Sequence, residues 1–217
     1  MIVLGLDTAV GACSAAVCKD GNVLAALSEP MQRGHQERLA MMVQAVMAEA
    51  GLPFAALDRI AVTIGPGSFT GLRVGLAFAK GLSLALAKPC VGVGTLEALA
   101  ASSPGEDMTV AVLDARRGQV YLQAFSGGAA VMAPDALAVE TAAARIAELN
   151  PRGSLALVGS GAELLAGIVR GARIHSLAAP DPVIVARLGA ERAVTPARPL
   201  YLRAPDAKLP GGLEPAA

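Results

Sequence analysis

Tryptophan is absent from this chain of 217 residues, which carries only two tyrosines, four phenylalanines and two histidines. Nor is there an excess of charge: 18 Lys and Arg stand against 18 Asp and Glu, with no basic run. Nucleic-acid phosphates are gripped by clustered cations, so the sequence excludes an autonomous nucleic-acid surface, and any RNA would be held through another molecule. His35 and His175 lie far apart, and no HxxxH, HExxH or CxxC spacing occurs, so no metal site is expected. His35 is expected to cap or hydrogen-bond near a helix start. Cys13, Cys18 and Cys90 have no metal-like spacing and leave an odd thiol, the pattern of reduced core cysteines in a cytosolic protein. The opening MIVLGLDTAVG has no basic segment, and its apolar run stops at Asp7, unlike a signal peptide. The most apolar stretch, 71–87, is interrupted by Arg73 and Lys80, which argues against a membrane span and makes cytoplasm the expected location.

What the chain does have is apolar mass, 54% hydrophobic against 17% charged, enough to bury the core of one or two small domains. IVLGLDT, CSAAVCK and VLAALSE predict two or three short strands of a meander, with Asp20-Gly21-Asn22 as a hairpin turn. A helix is predicted from about Gln36 to Ala50, stopped by Gly51 and Pro53, then a strand from Arg59. A second helix runs from about Thr70 to Ala87, followed by the strand CVGVG and a helix starting near Thr95.

After SSPGED the order restarts with MTVAVLDAR, QVYLQAF, AAVMAP, a helix over 140–149, SLALVGS, a helix from Ala162 and a late helix over 182–194. An aspartate ends the first strand of each unit, Asp7 and Asp114. This repetition predicts an α/β fold of two stacked halves, 1–103 and 104–203, with a cleft between them. The Pro- and Gly-rich tail 204–217 is expected to be disordered.

Strand ends facing such a cleft are where ligands usually sit. Asp7 and Thr8, with Gly11 and Ser14 behind them, suit either a phosphate and its metal ion or a turn capped by an acid. Asp114 precedes Arg116 and Arg117, which form either a basic hairpin tip or an anion contact. GPGSFTG, 65–71, brings glycines and a Ser68 or Thr70 cap to a helix start, but lacks the lysine and spacing of a P-loop, so it predicts a structural turn. No Ser/His/Asp set with recognisable context occurs.

The two long helices have apolar residues on more sides than one sheet can cover. Gly71, Gly75 and Ala79 recur every four residues as a small-residue stripe beside Leu72 and Leu76. In QERLAMMVQAVMAEA, Leu39, Met41, Met42, Val43, Val46 and Met47 surround most of the cylinder, and methionines suit an adaptable contact. Leu39, Met42, Val43, Val46, Gly71, Leu72, Gly75, Leu76 and Ala79 are therefore expected to meet another chain, with a wholly internal helix pair as the alternative. On the first reading, leucine at Gly75 blocks pairing and leaves the monomer folded.

Taken together, IVLGLDTAVGACSAAV, HQERL, TIGPGSFTGLRVGLAFAKGLSLAL, VGVGTLEALA, LDARRGQVY and PLYLR resemble the TsaB (YeaZ) family, over roughly residues 1–203. The resemblance implies two actin/sugar-kinase/Hsp70-like (ribonuclease H-like) halves, the second reduced. It also implies a non-catalytic activator for the threonylcarbamoyladenosine modification of tRNA, paired through its first two long helices with a TsaD-like catalytic subunit and recruiting a TsaE-like ATPase. Further implications are a homodimer when alone, tRNA contact through the complex, no cofactor of its own, and ATP or ADP at the partner interface. Where TsaD-like chains carry two metal-binding histidines, this sequence has Thr95 and Leu99, so it is expected to be silent alone. Two positions depart from the family's habit: Met41 replaces a proline, and Gln119 a glutamate. The rival expectation is an autonomous ATPase of the same superfold using Asp7, Thr8 and Asp114.

Overall fold

Strands that are apolar along their whole length, rather than at alternate positions, need cover on both faces of their sheet. The first two strands have this pattern, and the computed structural model, which describes residues 1–103, 105–149 and 153–203, supplies that cover. The tail expected over 204–217 lies outside the described residues. β1 (Ile2–Asp7), β2 (Ala12–Lys19), β3 (Asn22–Pro30), β4 (Arg59–Thr63) and β5 (Cys90–Val93) form a sheet in the order β3-β2-β1-β4-β5. β1, β2 and β3 are antiparallel, while β4 and β5 run parallel to β1. Asp20 and Gly21 both have positive φ and turn β2 into β3 as the sequence predicts.

The second sheet repeats this order. β6 (Met108–Arg116), β7 (Gln119–Ser126), β8 (Ala129–Ala130), β9 (Asp135–Ala138), β10 (Leu155–Val158) and β11 (Arg173–His175) assemble as β11-β10-β6-β7-β8, with β9 also pairing with β7. β9 and β11 are not anticipated from the sequence, being too short to show a period. Five strands in one order, twice, give the doubled architecture expected from the two aspartate-ended strands.

Helices α1 (His35–Glu49), α2 (Phe69–Leu86), α3 (Thr95–Ala101), α4 (Val139–Glu148), α5 (Ala162–Ala166) and α6 (Pro182–Glu191) complete the layers. α1 and α2 lie on one face of the first sheet, where Met42, Val46, Leu76 and Ala79 pack with Leu4, Leu6, Ile60 and Val62. α4 and α5 cover the second sheet in the same way, through Ala142, Ile146, Ala162 and Leu165.

The remaining helices cross over. α6, from the second half, covers the first sheet with Val183, Val185 and Ala186 on Val3, Ala16 and Ala61. α3, from the first half, sets Leu96 and Leu99 against Ala111, Leu113 and Phe125 of the second sheet. A boundary near residue 103 therefore separates the sheets but not their helices. Small residues let α6 approach: a Cβ at Gly5 would lie 2.4 Å from the Pro182 carbonyl oxygen, and one at Gly189 2.2 Å from the Ala61 methyl. Arg59 closes the far end of α6, donating from Nη1 to the carbonyls of Gly189, Ala190 and Arg192 at 2.8, 3.1 and 2.7 Å. The cation thus satisfies carbonyls that the helix leaves without partners.

Beyond α6 the chain runs as a strap over both halves. Ala197 is buried in the first core, and the Leu200 amide donates to the Ile64 carbonyl at 2.7 Å. Arg203 donates to the Ala115 carbonyl at 2.7 Å and to Gln119 at 3.3 Å, on the β6–β7 hairpin.

The small-residue stripe is used inside the chain. Thr8 donates its hydroxyl to the Gly71 carbonyl at 2.8 Å, and a Cβ at Gly71 would stand 2.0 Å from the Thr8 carbonyl oxygen. At Gly75 a Cβ would stand 2.5 Å from Thr8 Oγ1 and 3.5 Å from Val62. This corrects the expectation that Gly71, Gly75 and Ala79 face another chain: all three are buried, and the two glycines let α2 lie close on the end of β1, where the Thr8 backbone at Gly71 and the Thr8 hydroxyl at Gly75 leave no room for a side chain. Leu39, Met42, Val43, Val46, Leu72 and Leu76 are likewise buried, each 5% exposed or less. Gly71→Ala is expected to cost about 1–3 kcal/mol by overpacking, and Gly75→Leu to cost more or prevent folding. Thermal unfolding followed by circular dichroism checks this; a Gly75→Leu protein with the parent's midpoint would put the stripe on the outside after all.

Candidate functional site

Asp7 ends β1 on the face turned toward α6, the direction in which Val3 and Gly5 also point. It is wholly buried. Oδ1 accepts from the Thr63 hydroxyl at 2.7 Å and from the Ala9 amide at 3.1 Å, while Oδ2 has no partner among the described residues. Ser14, opposite Asp7 in the β1–β2 register, and Thr95, at the start of α3, also bury hydroxyls without partners. Loss of water penalises the charged carboxylate more than the two hydrogen bonds stabilise it, and the Asp7 pKa rises to about 6. The same burial pushes the Cys13 thiol up to about 11, with the Asp7 and Glu29 charges adding to the effect, so this cysteine is an inert core residue.

Of the suggested phosphate ligands, Asp7 is thus buried, and the other two are engaged elsewhere. Thr8 spends its hydroxyl on α2, and Asp114 sits on the other sheet, accepting from the Arg116 amide at 2.7 Å and pairing with its guanidinium at 3.1 Å. Arg116 has positive φ, as the tip of the β6–β7 hairpin. His35 opens α1 but forms no side-chain cap, and its Nε2 is buried without a partner.

In the 65–71 loop two of the amides that could meet a phosphate are also in use. Ser68 donates its amide to the Ala9 carbonyl at 2.7 Å, and the Gly71 amide donates to Ser68 Oγ at 3.3 Å, closing the cap of α2. Gly65 has φ +112°, and a Cβ there would stand 2.6 Å from the Leu200 carbonyl oxygen, so this turn accepts only glycine. The loop is a structural turn packed between the end of β1 and the C-terminal strap.

The open surface lies on the outer side of the same two helices. A groove of about 570 Å³ runs between α1 and α2, lined by Gln36, Leu39, Phe69, Arg73, Val74 and Phe78, among others. On the same helices Ala40, Met41, Gln44, Ala45 and Ala48 of α1 and Ala77, Leu84 and Ala85 of α2 are exposed, Leu84 to 86%. Phe69 and Arg73 were missed as site residues although helical spacing places them, with Ala77, on one face of α2. The small stripe at Gly71 and Gly75 drew attention to the opposite face.

The sequence profile of the TsaD family, tRNA N6-adenosine threonylcarbamoyltransferase, matches residues 27–158, more than half of the chain. YeaZ from Pseudomonas aeruginosa superposes with a TM-score of 0.79 at 29% identity, over 93% of this chain and 99% of its own. The tRNA threonylcarbamoyladenosine biosynthesis protein TsaB of Escherichia coli is 40% identical over 124 residues, 56% of this chain and 53% of its own. The chain belongs to the TsaB (YeaZ) family. An uncharacterised protein of Mycobacterium tuberculosis is 36% identical over 215 residues, covering 95% of this chain and 93% of its own. A ROK hexokinase of Thermus thermophilus, 15% identical with a TM-score of 0.53, shares the fold alone, in agreement with the actin/sugar-kinase-like halves that the family resemblance implies.

Thr95 and Leu99, where the resemblance implied that histidines had been replaced, are both buried, Leu99 in the contact with the second sheet. Met41 is 53% exposed on α1, so its departure from proline alters a surface rather than the core. Gln119 accepts from Arg203 and anchors the strap, a role open to an amide as well as to an acid.

The raised Asp7 pKa has a defined sign. The folded protein binds this proton more tightly than the unfolded chain does, so the stabilisation is complete below the unfolded value near 3.8 and is lost as pH rises through about 6. Asp7→Asn retains an acceptor for Thr63 and Ala9 and removes the charge. It is expected to flatten the pH dependence of stability between those values and to raise stability at pH 8 by up to roughly 3 kcal/mol. Urea unfolding at pH 4, 6 and 8 measures both effects; equal pH slopes in the two proteins would refute the assignment.

Proposed function

We propose that this chain acts in tRNA threonylcarbamoyladenosine biosynthesis as a non-catalytic partner that docks a TsaD-like catalytic subunit on the outer faces of α1 and α2. The observation that carries this reading is the character of those faces: Gln36, Phe69, Val74, Ala77 and Phe78 line a groove between two adjacent helices, which also expose Met41, Leu84 and several alanines. A surface so rich in small and apolar residues is a protein-interaction surface more often than a solvated one. Its inner side is anchored on the first sheet, so the docking helices arrive already ordered and little entropy is lost on pairing.

In this reading the transfer chemistry occurs on the partner, a TsaE-like ATPase joins the assembly, and tRNA is met through the complex in the cytoplasm. No cofactor is required of this chain, and ATP or ADP would sit at the partner interface. A free copy pairs with itself through the same helices. The rival reading, an autonomous ATPase using Asp7, Thr8 and Asp114, needs an accessible charged carboxylate at Asp7, which is wholly buried with its pKa raised to about 6, and a free hydroxyl at Thr8, which is bonded to the Gly71 carbonyl.

The TsaD-like subunit is expected to modify tRNA more slowly alone than with this chain. Ala48→Glu or Ala77→Glu, both on exposed helix faces, should leave thermal stability within about 0.5 kcal/mol and abolish the stimulation. Reconstituted modification with purified components measures this. Equal partner activity with and without the chain would remove the activator role.

A further inference from the structure

α2 contains two cations, Arg73 and Lys80, and no acid in 18 residues. They are seven residues apart, about 10 Å along the helix, and both are exposed beside Ala77. The Arg73 guanidinium carbon lies 3.7 Å from the centroid of the Phe69 ring, and Phe69 packs in turn against Tyr201 with centroids 5.3 Å apart. The strap bond from Leu200 to Ile64 fixes that last ring in place. Stacking of this kind uses the face of the guanidinium and leaves its in-plane N–H fork free for a carboxylate. Among the described residues no ion pair involves Arg73 or Lys80, whereas Arg38 on α1 is paired with Glu29.

We infer that the molecule occupying the α1–α2 groove presents a helix with two carboxylates about two turns apart, one meeting the stacked Arg73 and the other Lys80, between apolar contacts. This rests on the pairing function proposed above and adds the chemistry of the partner's surface. In the self-pairing proposed above, a copy docked α2 on α2 sets these cations against their own kind, so an acidic helix of a different chain is the better match and displaces it. Pairing charges at the rim of an apolar contact speed association and select the partner more than they add to the area buried.

The test is a titration of the purified TsaD-like subunit with this chain, its R73Q/K80Q variant and its R73E/K80E variant, at low and high salt. Charge reversal is expected to weaken pairing by at least about tenfold, neutralisation by less, and the parent's affinity alone should fall steeply with salt. All three proteins should melt alike, since both side chains are exposed. If the parent pairs and the reversed variant pairs equally well, or if neutral and reversed variants lose the same amount, the acidic-helix inference fails while the pairing function stands. If the parent does not pair at all, both fail. If reversal leaves pairing intact and instead removes binding of tRNA to the free chain, the cations serve phosphates and the inference is overturned.

Discussion

Where α2 touches the end of β1, the Thr8 hydroxyl is held by the Gly71 carbonyl, and the backbone of Thr8 fills the space where a side chain on Gly71 would stand. Much of the first half depends on that closeness. It draws α2 against Val62 and Thr8, sets the cap at Ser68, and leaves Phe69 and Arg73 pointing outward over the groove. Two missing side chains therefore fix both what the helix buries and what it presents.

The same economy of small residues governs the other face of the sheet. Gly5, Ala16, Ala61 and Gly189 let α6 settle on the strands, while α3 crosses to the second sheet. Arg192 pairs with Glu97 where these two exchanged helices approach each other. Such an exchange gives each sheet one face covered by its own half and one covered by the other. Asp7 consequently sits in a dry environment with one oxygen unpartnered, a state tolerated because the proton is retained up to about pH 6.

Much of this was legible in the sequence. The aspartates near the ends of two similar strands, the Asp20-Gly21 turn and the stops at Gly51 and Pro53 mark elements whose bounds differ by little in the fold. β9 and β11 were not legible, because four and three residues are too few for a period to emerge and they are ordered by neighbouring strands. That α1 and α2 carry apolar residues on more sides than one sheet covers was legible. Which side faces out was not: a row of small residues permits close approach by any partner, and only the fold shows that the partner is Thr8.

Composition and order alone determined the α/β class, the doubled architecture, the want of metal-ligand spacings and the helical, apolar character of segments 36–50 and 70–87, because these follow from local periodicity and from residue types that are simply missing. Tertiary structure decided the rest. It turned Gly71 and Gly75 inward, buried Asp7, occupied Thr8, wrapped the strap beneath Tyr201, and stacked Phe69 under an unpaired Arg73. Each of those outcomes depends on which distant backbone arrives within a few ångströms, a quantity that no local pattern of residues encodes.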